Sequence, residues 1–173
     1  YANANSSSAT NFTWTMDSAG PTYTSMAAVD GSANNRSTTG SVITVPTTIT
    51  ITMNETLVAS SVAVGDLTVT AGTCTGESVS AASASGATAI FTVASTCADT
   101  QTLIATFTPS NVQDAYANAG TGGAQNFTWT IDAAGPTYSS MAAENSTGVS
   151  RSTEGTYGSM PTTITITMGI AMC

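Results

Sequence analysis

The groups in this chain that could do chemistry are ten carboxylates, three cysteines and a large population of hydroxyls, set against no histidine and two cations, Arg36 and Arg151. Without His there is no Ser-His-Asp or Cys-His machinery, and without Lys there is no Schiff base and no phosphate-gripping P-loop. A pair of carboxylates facing across a cleft could still cleave a glycosidic bond, but no two of them here are flanked by the aromatics that line such a cleft. The expectation is that the chain is not an enzyme. Nucleic acid is set aside as a partner too, because a net charge of −8 with two arginines cannot neutralise phosphates.

What isolated carboxylates can do is hold a hard cation. Asp17 and Asp132 sit in Gly-Pro linkers, Glu55 follows one strand-like segment, Asp66 precedes the next, and Asp114 lies on a late loop. If those loops converge, their oxygens suit calcium, and the expected place is a junction between structural units. The competing reading makes them turn residues that cap backbone N–H groups or face water. No other cofactor is expected.

Cys74 and Cys97 are separated by 23 residues. Bridging them would stabilise the fold by roughly 3 kcal/mol in the chain-entropy account and would imply an oxidising compartment; the alternative is two buried thiols. Two cysteines without histidine are too few for a zinc site. Cys173 stands apart as a candidate inter-chain link. Arg36 and Arg151 are candidates for ion pairs between neighbouring units, with solvated loop cations as the plainer reading. Asn5, Asn11, Asn35, Asn54, Asn126 and Asn145 each begin an Asn-x-Ser/Thr triplet and are candidate glycosylation sites.

The elements that position these groups are repeated. Tyr1-Ala2-Asn3 returns as Tyr116-Ala117-Asn118, Asn11-Phe12-Thr13-Trp14-Thr15 as Asn126-Phe127-Thr128-Trp129-Thr130, Gly20-Pro21-Thr22-Tyr23 as Gly135-Pro136-Thr137-Tyr138, and residues 46–53 as 161–168. Each pair is offset by the same 115 positions. So long a period fits a whole bead-like domain in tandem rather than a solenoid repeat. The Gly-Pro linkers divide the chain into residues 1–17, the end of one bead; 18–132, a complete bead; and 133–173, the start of a third.

Within the bead, Thr48, Thr50 and Thr52 alternate with Ile49, Ile51 and Met53, the signature of a half-buried strand. Residues 125–131 do the same with Phe127, Trp129 and Ile131 inward, as do Phe12, Trp14 and Met16 in the first partial bead. Further strands are expected over 22–27, 66–71, 87–94 and 101–107. Turns are expected over 30–40, 72–76, 83–86 and 118–123, and no segment has the periodicity of an amphipathic helix. Six or seven short strands in about 110 residues predict an all-β sandwich of two antiparallel sheets.

Residues 46–55, then Gly65-Asp66-Leu67-Thr68-Val69-Thr70-Ala71-Gly72, then residues 126–132 with Gly135-Pro136-Thr137, resemble the pattern of bacterial Ig-like domains, with Thr56 where that pattern has Pro. The resemblance implies Greek-key sandwiches in tandem on large cell-surface proteins and adhesins. The expected function is a structural extracellular stalk, fibre or surface filament, with strand exchange between subunits as a further route of assembly. Its partners would be copies of itself or adjacent beads, and glycans. The alternative is an adhesin module binding a glycan or surface receptor through its loops. No apolar run in the sequence is long enough to span a bilayer.

Overall fold

The computed structural model describes residues 11–36, 38–151 and 154–169, so the candidate positions Asn5 and Cys173 lie outside the described residues. Nine strands form in chain order before the second Gly-Pro linker: β1 (Tyr23–Val29), β2 (Asn35–Arg36), β3 (Gly40–Val42), β4 (Thr48–Met53), β5 (Leu67–Ala71), β6 (Thr75–Ser85), β7 (Thr88–Thr96), β8 (Thr102–Phe107) and β9 (Gln125–Ile131). They make one sheet in the order β2-β1-β4-β7-β6 and a second in the order β3-β9-β8-β5. Every pairing is antiparallel except β3 with β9.

Alternation in the sequence becomes alternation in burial. On β4, Ile49, Ile51 and Met53 are buried while the intervening threonines are half-exposed, as a period of two requires. Met26, Ile49, Ile51 and Phe91 of the first sheet join Leu67, Leu103, Phe107 and Trp129 of the second in one apolar cluster. Phe91 and Phe107 meet across the two sheets with ring centroids 6.1 Å apart and planes at 59°. Each such side chain contributes about 1.5–3 kcal/mol on leaving water. The Thr, Ser and Ala that dominate the composition are therefore largely the outward half of each strand.

After the linker, β10 (Thr137–Glu144), β11 (Ser150–Arg151) and β12 (Thr163–Gly169) form a separate three-stranded sheet, β11-β10-β12. Its register repeats that of the first unit: Met26 faces Ile51 and Met141 faces Ile166, with the same irregularity after Tyr23 and after Tyr138. Pairing is thus set by the local sequence, but burial is set by what covers the sheet. Ile51 is fully buried, whereas its repeat Ile166 is 59% exposed.

Three expectations need correction. Residues 83–85 are not a turn but the end of β6, an 11-residue strand dominated by Ser and Ala in which Val79 is the one β-branched apolar side chain. It forms because β7 pairs with it along most of its length, across two register shifts at residues 75–78 and 79–81. Residues 30–40 are not wholly a turn, since β2 and the start of β3 lie in them. Phe12, Trp14 and Met16 do not form a strand with an inward face; they are exposed, in a segment with no strand partner among the described residues. No helix of the described residues is long and apolar enough to cross a membrane.

Candidate functional site at the unit junction

Where the incoming linker meets the complete unit, residues 17–22 run against the loop after β8. Gly20 and Pro21 are buried, and a Cβ on Gly20 would overlap the Ala119 carbonyl, so only glycine fits there. Thr121 N–H donates to the Pro21 carbonyl at 2.9 Å, Asn118 Nδ2 donates to the Asp17 carbonyl at 3.2 Å, and Thr22 N–H donates to Asn54 Oδ1 at 2.6 Å. The linker is therefore fastened to the unit that follows it.

That fastening brings together three of the five carboxylates singled out from the sequence. Carboxylate oxygens of Asp17, Glu55 and Asp114 all lie within 4.8 Å of one another, from an exposed, a half-buried and a buried residue respectively. Burial works against the Asp114 charge, yet hydrogen bonds from the Asn118 side chain and from the Asn118 and Tyr116 N–H groups outweigh it and hold this carboxyl below its ordinary range. Glu55 moves the other way: desolvation first, then the charges of Asp17 and Asp114, raise its pKa. Three hard oxygen donors crowded in this way suit calcium among the common ions, which would remove the repulsion that now falls on Glu55.

Asp66 and Asp132 are elsewhere. The Asp66 carboxylate accepts the Ala63 N–H at 2.7 Å and so closes a short 3₁₀ turn before β5. Asp132 donates its N–H to the Val42 carbonyl at 2.8 Å and lines a shallow cavity of about 200 Å³ with Asn35, Arg36, Ser41, Val42 and Ile43. By the repeat offset, the position matching Glu55 is Ile170, so the second junction carries no equivalent carboxylate there. The outgoing linker is held instead by Asp99, whose Oδ1 accepts the N–H groups of Ala133 and Ala134 at 2.7 and 3.2 Å.

The two arginines make contacts inside their own units rather than across a junction. Arg36 pairs with Asp30, six residues away, because a five-residue loop turns Asp30 back beneath it. In that loop Asp30 Oδ1 accepts the Ser32 and Asn34 N–H groups, each at 2.9 Å, and Ala33 takes the left-handed conformation at φ 60°. The Asn34 N–H bond leads the interactions that outweigh burial and hold the Asp30 carboxyl far below its ordinary range, with Arg36 among them. At the repeat position, Asp30 becomes Asn145. Arg151 then lies 5.1 Å from the centroid of the Tyr157 ring, a cation–π contact.

The Asp30 loop has a twin that the sequence reading missed. Asp114 Oδ1 accepts the Tyr116 and Asn118 N–H groups, each at 2.8 Å, with Ala117 left-handed at φ 66°. The shared signal is Asp-x-x-Ala-Asn, at residues 30–34 and 114–118. In the first loop the carboxylate meets a guanidinium; in the second it meets two more carboxylates.

Cys74 and Cys97 form a disulfide with an S–S distance of 2.02 Å, joining the start of β6 to the segment just past the end of β7. It lies within one sheet, tying the open end of a hairpin. Of the sequon asparagines among the described residues, Asn11, Asn35, Asn54 and Asn126 are exposed and Asn145 is half-buried. Asn126 projects from β9 and accepts the Thr106 hydroxyl at 2.8 Å. Asn145 Oδ1 is engaged with the Thr147 and Val149 N–H groups of its own loop.

No family model matches the chain, and no curated protein matches it. Among solved structures, the N-terminal part of the bacterial S-layer protein SbsC aligns over 77% of this chain and 32% of its own length, at 16% identity and a TM-score of 0.42. The chain thus spans about a third of the length of the N-terminal part it matches, and a likeness this slight assigns no role.

Proposed function

We propose that the chain is a mechanical spacer: tandem Ig-like β-sandwiches in an extracellular stalk, fibre or surface filament. The observation that carries this reading is a 115-residue period whose strands pair in the same register twice over, with the incoming linker gripped by the complete unit that follows it and the outgoing linker by the complete unit it leaves. The strand order supports the Ig-like assignment, since β1, β4, β7 and β6 correspond to an ABED sheet and β5, β8 and β9 to a CFG sheet. The disulfide supports an oxidising, extracellular setting.

In this role the useful chemistry is at the junction. Linker residues fixed by Ala119, Asn118 and Thr121 set the angle between beads, and calcium on Asp17, Glu55 and Asp114 would stiffen it. The adhesin reading needs an open aromatic platform. Of the two tyrosines nearest the loop at residues 30–40 in sequence or by repeat, Tyr23 is half-buried with its ring 6.2 Å from that of Phe127, and Tyr157 is capped by Arg151; the exposed aromatics Phe12, Trp14, Tyr116 and Tyr138 lie outside that loop. Electron microscopy of several repeats in tandem tests the proposal. A beaded rod is expected, with a period near the length of an 11-residue strand plus a linker, about 40 Å; compact particles without a period would refute it.

A further inference from the structure

We propose that the Cys74–Cys97 bridge is a brace for the bead junction: it holds the β7–β8 loop in place so that Asp99, a positioning residue, fixes the outgoing linker. The proposal rests on the tandem-sandwich reading and gives the disulfide a task beyond closing its own hairpin. Ala133 and Ala134 are exposed, and Asp99 Oδ1 accepts both of their N–H groups, at 2.7 and 3.2 Å. One carboxylate oxygen that takes two successive N–H groups makes a charge-assisted contact, stronger than a neutral one. It sets the heading of the chain as it leaves the unit. The hold on the linker is therefore only as firm as the hold on residues 97–101, which carry Asp99.

That loop is anchored at its two ends in different ways. At the far end, Thr100 N–H donates to the Ile131 carbonyl at 2.7 Å and Ile131 N–H to the Gln101 carbonyl at 2.8 Å, with Thr100 left-handed at φ 65°. Thr73 N–H donates to the Thr102 carbonyl at 3.1 Å, and Thr102 N–H returns a bond to Thr73 Oγ1 at 3.0 Å. Gly72 permits this approach, since a Cβ there would overlap the Thr102 hydroxyl. The near end depends on the bridge. Pairing of β6 with β7 slips between Thr75 and Ser78, where the two strands reach the loop, so the ladder there is interrupted. The covalent link from Cys74 to Cys97, two residues before Asp99, spans that interruption. Cys74 is itself set in the apolar core at 3% exposure, which makes it a fixed anchor. Opening the bridge frees the near end of the loop, and the linker N–H groups lose their acceptor while the core still closes the sandwich.

The test is amide exchange with solvent, followed by NMR on the whole chain. The Ala133 and Ala134 N–H groups are the reporters, and the amides of Ile49, Ile51 and Phe91 in the core are the controls. Asp99→Ala should speed exchange at the reporters by about tenfold or more, as loss of a hydrogen bond to a charged group requires, and leave the controls protected. Opening the bridge should do the same, whether by a dithiol reductant or by Cys74→Ala with Cys97→Ala. In the Asp99→Ala background, opening the bridge should add nothing at the reporters, because the brace acts through Asp99. Reporters that ignore the open bridge overturn the proposal, as does a full further acceleration in the Asp99→Ala background. Asp99→Ala keeps the bridge intact, so unchanged reporters in that variant overturn it even if the bridge-free chain does not fold. Protected controls beside indifferent reporters mean that the brace fails and the sandwich stands. Controls that exchange as fast as the reporters in the unaltered chain mean that the sandwich reading itself has failed.

Discussion

Ile51 and Ile166 occupy the same place in the same strand sequence, Thr-Ile-Thr-Ile-Thr-Met, and face the same partner residue type, Met26 or Met141. They differ in cover: Ile51 is 0% exposed and Ile166 is 59% exposed. Truncating a buried Ile to Ala removes its transfer free energy and leaves a cavity, a cost of about 2–5 kcal/mol. At an exposed position the change stays within roughly 0.5 kcal/mol. For a unit of this size, Ile51→Ala should lower the melting temperature by roughly 8–20 °C, and Ile166→Ala by about 2 °C or less. The comparison needs only thermal or urea unfolding of the two variants at low protein concentration, where copies do not cover one another. Equal losses would mean that β12 is already buried in a core, and the argument that cover rather than sequence decides stability would be wrong.

Reducing the Cys74–Cys97 bridge, or replacing both cysteines by Ala, should destabilise the complete unit by roughly 3 kcal/mol, read as a lower denaturant midpoint. Calcium should raise the melting temperature at neutral pH, and Asp17→Asn or Glu55→Gln should abolish that rise; calorimetric titration showing no uptake by the parent chain would count against the junction site. Because the folded-state pKa of Glu55 is raised, its carboxyl favours folding when protonated, and that advantage is lost as pH rises through the folded value. In calcium-free buffer, Glu55→Gln should therefore stabilise the chain at neutral pH. Asp30 has the opposite sign: its carboxyl is depressed, so its contribution is present above the ordinary Asp range near pH 3.9 and is lost as pH falls toward the folded value. Asp30→Asn, which keeps the acceptor that Asn145 uses at the repeat position, should flatten the acid limb of a melting-temperature profile.

The strands with β-branched alternation were legible from sequence because period two and propensity agree there; β9 falls on the expected residues 125–131. β6 was not, because its Ser and Ala residues carry no strong preference and its pairing is decided by β7, a tertiary fact. The segment holding Phe12, Trp14 and Met16 shows the converse: a strand-like pattern has no strand to make when its partners are absent from its surroundings. Local sequence did not reveal that Asp17 and Asp114, 97 positions apart, would meet while Asp66 and Asp132 would not. That convergence depends on how the linker is gripped by the loop after β8. The Asp-x-x-Ala-Asn signal was readable and was missed, since its meaning lies in a left-handed Ala and a carboxylate folded back onto its own loop.

Pulling a tandem array of the complete unit from its ends, with the disulfide oxidised and then reduced, reports directly on whether each repeat is an independent load-bearing body. The account predicts evenly spaced ruptures, one per unit. Reduction should lengthen each by the 23 residues the bridge encloses, about 75 Å once the 4.5 Å between the cysteine Cα atoms is subtracted. Irregular ruptures, or a spacing indifferent to reduction, would contradict it.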